Sequence, residues 1–444
     1  MEQSATLVSG GLVVTLENPN RIIPGGAVLI EGSGVRAVGE LAQLEEDRPG
    51  ARRLEFPGML IMPGLINAHT HLYSSLARGM PFPSEAPSNF VEILERVWWR
   101  LDKALGQEAV YWSALVGLID CVRRGATTVF DHHASPFACR GSLETIARAV
   151  EKVGLRACLS YEVSDRDGSS VAEEGILENR SFIEACAREQ PEHLAASFGL
   201  HASFTLSDET LARCVEAADG AGFHVHVAED RADLEHAMRH WGTSVVGRLS
   251  DRGVLGERTL AVHCVYIDEE DMEVLAGTGT PVVHNPQSNC NNAVGTADVL
   301  GMLAKGVVVG LGSDGFSAGP LDELRAANLL HKLVRRDPRV GTAEVCGMLL
   351  ENNPRIAARF FRRPLGVLTP GAFADLVVVD YRPPTPIRED NFLGHLLFGI
   401  AGAPVDSVLV GGRVVLRSGR LPGLDEEEVL RRSAAVAAEL WKEM

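Results

Sequence analysis

Along the first 60 residues, short apolar runs rich in β-branched side chains, ATLVSGGLVVTL and GGAVLIEGSGVRAVGE, are broken by Gly and Asn-Pro-Asn turn signals. That is the pattern of a small antiparallel unit. From about residue 57 short apolar strands alternate with longer amphipathic stretches, as parallel βα units require. Eight strand candidates follow, at 64–71, 127–133, 156–163, 194–202, 223–229, 259–266, 281–289 and 307–314. This is the strand count of a closed (β/α)8 barrel. NFVEILERVWWRLDKAL, LETIARAVEKVG, DETLARCVEAADGAG and LDELRAANLLHKLVRR sit between or after them with helical apolar periodicity. After FRRPLGVLTPGAFADLVVVDY the strand pattern returns through DSVLVGGRVVLRSGR, and 425–444 reads as a helix rich in Ala and Glu. The expected fold is α/β: a TIM-type (β/α)8 barrel over 58–365, with 1–57 and 366–444 joined in one small β-sandwich-like domain. Neither short half would be stable alone.

The polar positions of these eight segments fall at their C-terminal ends. His69 and His71 end the first, His201 the fourth, His226 and Glu229 the fifth, His263 the sixth, Asn285 and Asn289 the seventh, and Asp314 the eighth. In such a barrel this rim builds the active site. Strand period two puts His69 and His71 on one side, where they can share one ion. Several imidazoles with a carboxylate suit zinc, or iron as the alternative, with an open position for water. His224 shares a strand face with His226.

Composition narrows the partners. Of 444 residues, 45% are hydrophobic and 23% charged, ordinary values for a folded core, so wholesale disorder is excluded. The 42 Lys and Arg against 59 Asp and Glu leave a net charge of −17, which argues against nucleic acid as a partner. Eight cysteines (Cys121, Cys139, Cys158, Cys186, Cys214, Cys264, Cys290, Cys346) show no close pair, and MEQSATLVSGG lacks the features of a signal peptide. A reduced, cytoplasmic protein is expected. No apolar run approaches the roughly 20 residues that span a bilayer.

The motifs PGLINAHTHL, HVHVAE, VHCVYID, HNPQSN and LGSDG resemble the successive strand ends of the amidohydrolase superfamily, in its cytosine-deaminase and chlorohydrolase-like branch, from about residue 5 to residue 420. WWRLDKAL, TTVFDHHASP and HNPQSNCNNAVG are similar to the SsnA-type aminohydrolases within it. The resemblance implies His69, His71, His226 and Asp314 as metal ligands. It makes Glu229, His263 and Asp314 the catalytic groups, with one divalent metal per chain. The family places its ligand three residues before the glutamate, which selects His226 and leaves His224 as a hydrogen-bonded histidine deeper in the barrel. Dinuclear members carry a lysine or carboxylate at the end of strand four. LAASFGLHASF has neither, so a mononuclear centre is implied, with His201 touching substrate. The implied reaction is hydrolysis of a non-peptide carbon–nitrogen bond, foremost deamination of an amino-substituted N-heterocycle. Cyclic amide or amidine ring opening, dehalogenation, and an inactive metal-binding scaffold are the alternatives. A homo-oligomer is also implied.

Further substrate-facing candidates are Tyr73, Trp98 and Gln287, with Asn289 offering a second amide. Trp98 and Trp99 point about 100° apart on a helix, so only one is expected to face the pocket. The loop Tyr73 through Pro87 is placed to cover the metal face. Of His132 and His133, neighbours on a strand, one points inward. Cys264 and Cys290 have no activating partner in the sequence and read as packing residues.

Overall fold

The computed structural model describes residues 5–81 and 85–444. Eight parallel strands close a barrel: β1 (Leu65–Thr70), β2 (Ala126–His133), β3 (Arg156–Tyr161), β4 (Phe198–Ala202), β5 (Phe223–Val227), β6 (Leu260–His263), β7 (Val282–His284) and β8 (Val309–Leu311). Nearly every residue on them is buried, the expected consequence of helices outside and packed side chains inside. The strands form two hydrogen-bonded arcs. Single bridges, Val163 to Leu200 and Thr70 to Asp314, join the arcs into a ring.

The β8/β1 seam brings Asp314 beside His69. A Cβ at Gly312 would lie 2.9 Å from the His69 backbone nitrogen and 2.8 Å from its Cβ, so the strands approach this closely only with glycine there. The seam is then locked by one buried amide. Asn353 Nδ2 donates to the Ile66 and Leu311 carbonyls at 2.7 and 2.8 Å, while its Oδ1 accepts the Leu311 N–H at 2.8 Å. The Ser313 and Asp314 amides both donate to the His69 carbonyl, at 2.8 and 3.1 Å.

Both chain ends meet in one eight-stranded sheet. Its central strand, Arg52–Pro63, runs parallel to Ala5–Val14 and antiparallel to Leu376–Val379, so it stitches the two halves together. It continues past residue 57, and β1 starts only at Leu65. A buried core of Val8, Val28, Ile30, Phe56, Ile61, Leu376 and Leu409 fills this domain. Arg156, which opens β3, reaches into it. Its guanidinium meets Asp375 at 2.8 and 3.2 Å and lies 3.6 Å from the centre of the Phe373 ring. The closing helix Glu426–Leu440 starts at Asp425, whose carboxylate accepts the Glu428 amide. Just beyond its end, Trp441 Nε1 donates to the Leu76 carbonyl at 2.9 Å. Among the described residues no helix is long and apolar enough to cross a membrane.

Candidate metal centre

The strands deliver the predicted rim residues to one point. Ligand atoms of His69, His71, His132 and His226 lie within 4.8 Å of one another, as do those of His69, His263 and Asp314. The tautomers can be read from backbone acceptors, because a carbonyl oxygen only accepts. His71 Nδ1 donates to the His132 carbonyl at 2.5 Å, and His226 Nδ1 donates to the His201 carbonyl at 2.9 Å. Both Nε2 atoms therefore present bare lone pairs, yet they face each other at 3.2 Å. Asp314 Oδ1 completes the cluster, 3.1 Å from His71 Nε2 and 3.5 Å from His69 Nε2.

Converging lone pairs and a carboxylate repel unless a cation sits among them. Donors about 2.0–2.1 Å from a tetrahedral zinc lie about 3.3–3.4 Å apart, which matches these spacings. The buried His69 Nε2 has no hydrogen-bond partner, while its Nδ1 is held by His224 Nε2 at 2.8 Å. These residues fit a divalent ion. The electrostatics agree: burial drives His69 down to about 3, while at His71 burial is outweighed by the Asp314 and Glu162 carboxylates, which draw it toward the charged form. The pocket thus calls for positive charge at this point, and a metal supplies it without a proton.

Around this point lie the groups that could move protons. Glu229 Oε2 is 3.3 Å from His263 Nε2. Burial, and then the negative charge of Asp314, raise Glu229 well above the usual carboxylate range. The Asn289 amide donates to His263 Nδ1 at 2.9 Å, which leaves the ring proton on Nε2. That Nε2 has no hydrogen-bond partner. Asp314 Oδ2 accepts from Ser288 Oγ and is 4.0 Å from His263 Nε2. Ala228, His263, Cys264 and Asp314 leave their strands with φ between 45° and 74°. Left-handed backbone at non-glycine residues is strained, and here it clusters where the side chains turn into the site.

A cavity of about 410 Å³ opens over the cluster, within the range of small-molecule sites. Tyr73, His201 and Trp98 line it, as placed from the sequence, and Phe90, Phe204 and Phe316 add apolar surface. Trp99 lines it as well, which corrects the expectation that only one tryptophan faces inward. The reason is a single π-helical turn at Leu94–Trp98, which narrows the angle between successive side chains. Gln287 turns away: its Nε2 donates to Glu323 Oε1 at 2.8 Å and it does not line the cavity. The expected strand 281–289 ends at His284, and Pro286 opens a short helix, Pro286–Asn291. Helical spacing aims Ser288, Asn291 and Asn292 at the cavity instead.

His132 is the inward one of its pair, its ring stacked on His224 at 4.4 Å, whereas His133 bonds Ser135 Oγ at 2.9 Å. From the loop Tyr73–Pro87, the turn Leu72–Ala77 lines the cavity, held by Ser113 Oγ on the Leu72 carbonyl at 2.6 Å. Residues 82–84 of that loop lie outside the described residues. Cys264 is buried and its thiol is pushed up by burial, as for a packing residue.

Sequence reasoning missed Glu162, directly after β3. It is 4% exposed and lines the cavity, with Oε1 3.2 Å from His71 Nδ1 and Oε2 3.9 Å from His201 Nε2. Burial works against its charge, but the neighbouring His71 ring and the other surrounding imidazoles hold it down to about 2. An acidic residue closing the otherwise apolar RACLSY was the available signal.

The model of the amidohydrolase family matches residues 60–415. A 5-methylthioadenosine/S-adenosylhomocysteine deaminase from Pelotomaculum thermopropionicum is 33% identical, over 98% of both chains. A 5'-deoxyadenosine deaminase from Methanosarcina mazei is 32% identical, also over 98% of both. Among solved structures, a zinc-bound adenosine deaminase from Xanthomonas campestris superposes with a TM-score of 0.87 at 22% identity, covering 99% of each chain. A zinc complex of an atrazine chlorohydrolase from Arthrobacter aurescens gives 0.81 at 22%, covering 97% of this chain and all of that one.

Proposed function

The chain belongs to the amidohydrolase family, and from that premise we propose that it is a metal-dependent aminohydrolase that removes the exocyclic amine of a heterocycle, an adenine nucleoside foremost. The observation that carries the reading is the pair of bare Nε2 atoms of His71 and His226 converging at 3.2 Å beside Asp314, with Glu229 in the same site, its carboxyl raised well above the usual range by burial. His69, His71, His226 and Asp314 would hold the ion, zinc by the character of the donors. When bound, the metal supplies a lowered pKa for water and so a nucleophile at neutral pH.

The chain's own groups do the rest. Glu229 donates its proton to the ring nitrogen beside the amine-bearing carbon, which makes the C=N carbon electrophilic. His263 Nε2–H donates to the oxygen that accumulates charge as the carbon becomes tetrahedral. Asp314 Oδ2, on the His263 side, takes one proton from the attacking water and passes it to the departing amine, which leaves as ammonia, and the second water proton returns to Glu229 as the carbon–oxygen double bond forms. Trp98, Trp99 and Phe204 line the cavity and offer apolar surface against which a planar ring packs and excludes water.

The test is metal content together with ammonia release across 5'-methylthioadenosine, 5'-deoxyadenosine, S-adenosylhomocysteine, adenosine, pterins, amino-pyrimidines and triazines, with His69→Ala as control. About one zinc per chain and ammonia from the nucleosides are expected. A full metal complement with no ammonia from any ring would reject the reading.

A further inference from the structure

Glu162 has no part in that chemistry, yet its carboxyl group is buried in the wall of the cavity. Its Oε1 lacks a hydrogen-bond partner. The nearby His71 N–H is spent on the His132 carbonyl at 2.5 Å, against 3.2 Å to Glu162. Its Oε2 is on the side of His201 Nε2, but 3.9 Å is beyond hydrogen-bond reach. His201 cannot supply a proton there. Thr205 Oγ1 donates to the Ala202 carbonyl at 3.1 Å and so accepts from His201 Nδ1 at 2.8 Å, which leaves Nε2 a bare acceptor. Two acceptors thus face each other on the β3–β4 arc of the rim, while Glu229, His263 and Asp314 occupy the arc from β5 to β8.

A buried carboxyl oxygen without a donor is costly, so the arrangement fits a ligand that brings donors. A second metal ion does not explain it. Glu162, His201 and His226 have ligand atoms within 4.8 Å, but His226 Nδ1 is committed to the His201 carbonyl and its Nε2 to the first ion. Of these three only Glu162 and His201 remain free, too few ligands for a structural or catalytic ion, and the nearby His132, with Nδ1 3.6 Å from Glu162 Oε1, clusters with His69, His71 and His226 at the first centre.

We propose that Glu162 and His201 form an acceptor pair that anchors the substrate through two hydrogen-bond donors remote from the reacting carbon. This rests on the deaminase reading and names what the substrate must carry. The shared chemistry is a pair of adjacent donors, supplied either by the vicinal hydroxyls of a ribose or by the two N–H bonds of a second amino group on the ring.

The experiment compares wild type with Glu162→Gln and Glu162→Ala in metal content and in kcat and KM. Substrates are adenosine and 2',3'-dideoxyadenosine for the ribose arm, and adenine and 2,6-diaminopurine for the ring arm. Calorimetric binding of inosine and 2',3'-dideoxyinosine to the metal-loaded protein needs no turnover, so it reports on the anchor even where no ammonia is released. Loss of a hydrogen bond to a charged group is worth about 10- to 100-fold. The expected result is a loss of that size, mainly in KM, on the donor-bearing member of one pair. On the member that lacks the donors, the variants should match wild type. The pair that responds identifies the donors, and if it is the ribose pair, inosine binding weakens in parallel while dideoxyinosine binding does not. An equal loss on every substrate would overturn the proposal, because it would place Glu162 behind His71 as support for the metal. So would a fall in metal per chain, no change at all, or two metals in wild type reduced to one in Glu162→Gln.

Discussion

At the scale of single residues, the site is an arrangement of protonation states fixed by burial and by backbone acceptors. Burial pushes Glu229 toward its protonated form, so Glu229→Gln, which keeps its shape and removes the transferable proton, should leave metal content unchanged. Turnover should fall at least about 100-fold, the ordinary value of general acid catalysis. Zinc analysis and ammonia release on the same preparation check this; a Glu229→Gln enzyme at wild-type rate would remove its role. Glu323 is a second shifted carboxyl, raised to about 8 by burial despite hydrogen bonds from Ser317 and Gln287. In the unfolded chain it titrates near its ordinary pKa, about 4.3, so between that pH and 8 the folded state binds a proton that the unfolded state does not. Its contribution to stability is therefore present below pH 4 and lost as pH rises through 8. Glu323→Gln should flatten that part of the dependence, seen as a smaller drop in denaturation midpoint from pH 5 to pH 8. An unchanged profile would show that Glu323 is ionised in the fold.

At the scale of elements, the rim works because eight strand ends are held in register, and the weakest link is the seam where β8 returns to β1. There Asn353 serves three backbone groups from the side, in place of a continuous ladder. Asn353→Leu should strand those groups and cost about 2–4 kcal/mol, the order of one to two unsatisfied buried polar groups, with weaker metal binding because Asp314 rides on this seam. Denaturant melts and chelator competition measure the two effects; a variant as stable as wild type with unchanged affinity would show that other contacts close the barrel. The same scale explains what was legible in the sequence. His69, His71, His226, His263 and Asp314 could be placed because each ends an apolar run whose period-two pattern gives its direction. Gln287 was misdirected where Pro286 turns a strand into a helix, which changes the facing rule. Trp99 was set aside because a π-helical turn leaves no mark in apolar periodicity. Glu162 was passed over because one acid at the end of a buried strand acquires meaning only beside His71 and His201, residues far from it along the chain.

At the scale of the molecule, the terminal sheet and the barrel are joined by a bond that neither half can satisfy alone. Arg156 and Asp375 are 2% exposed each, and Asp375 also accepts the Gly411 amide at 2.7 Å while Arg156 donates to the Glu192 carbonyl. Removing one partner of such a pair leaves a buried charge without compensation, typically about 3–5 kcal/mol, whereas replacing both by apolar residues of similar volume is often neutral. Asp375→Ala should therefore lower the denaturation midpoint strongly, and Arg156→Leu combined with Asp375→Leu should recover part of the loss. Arg156 opens β3 at the end of the barrel opposite the metal rim, so the protein that remains folded should keep wild-type KM and metal content. A drop in stability matched by a proportional rise in KM would mean that the terminal sheet shapes the substrate cavity as well as stabilising the barrel.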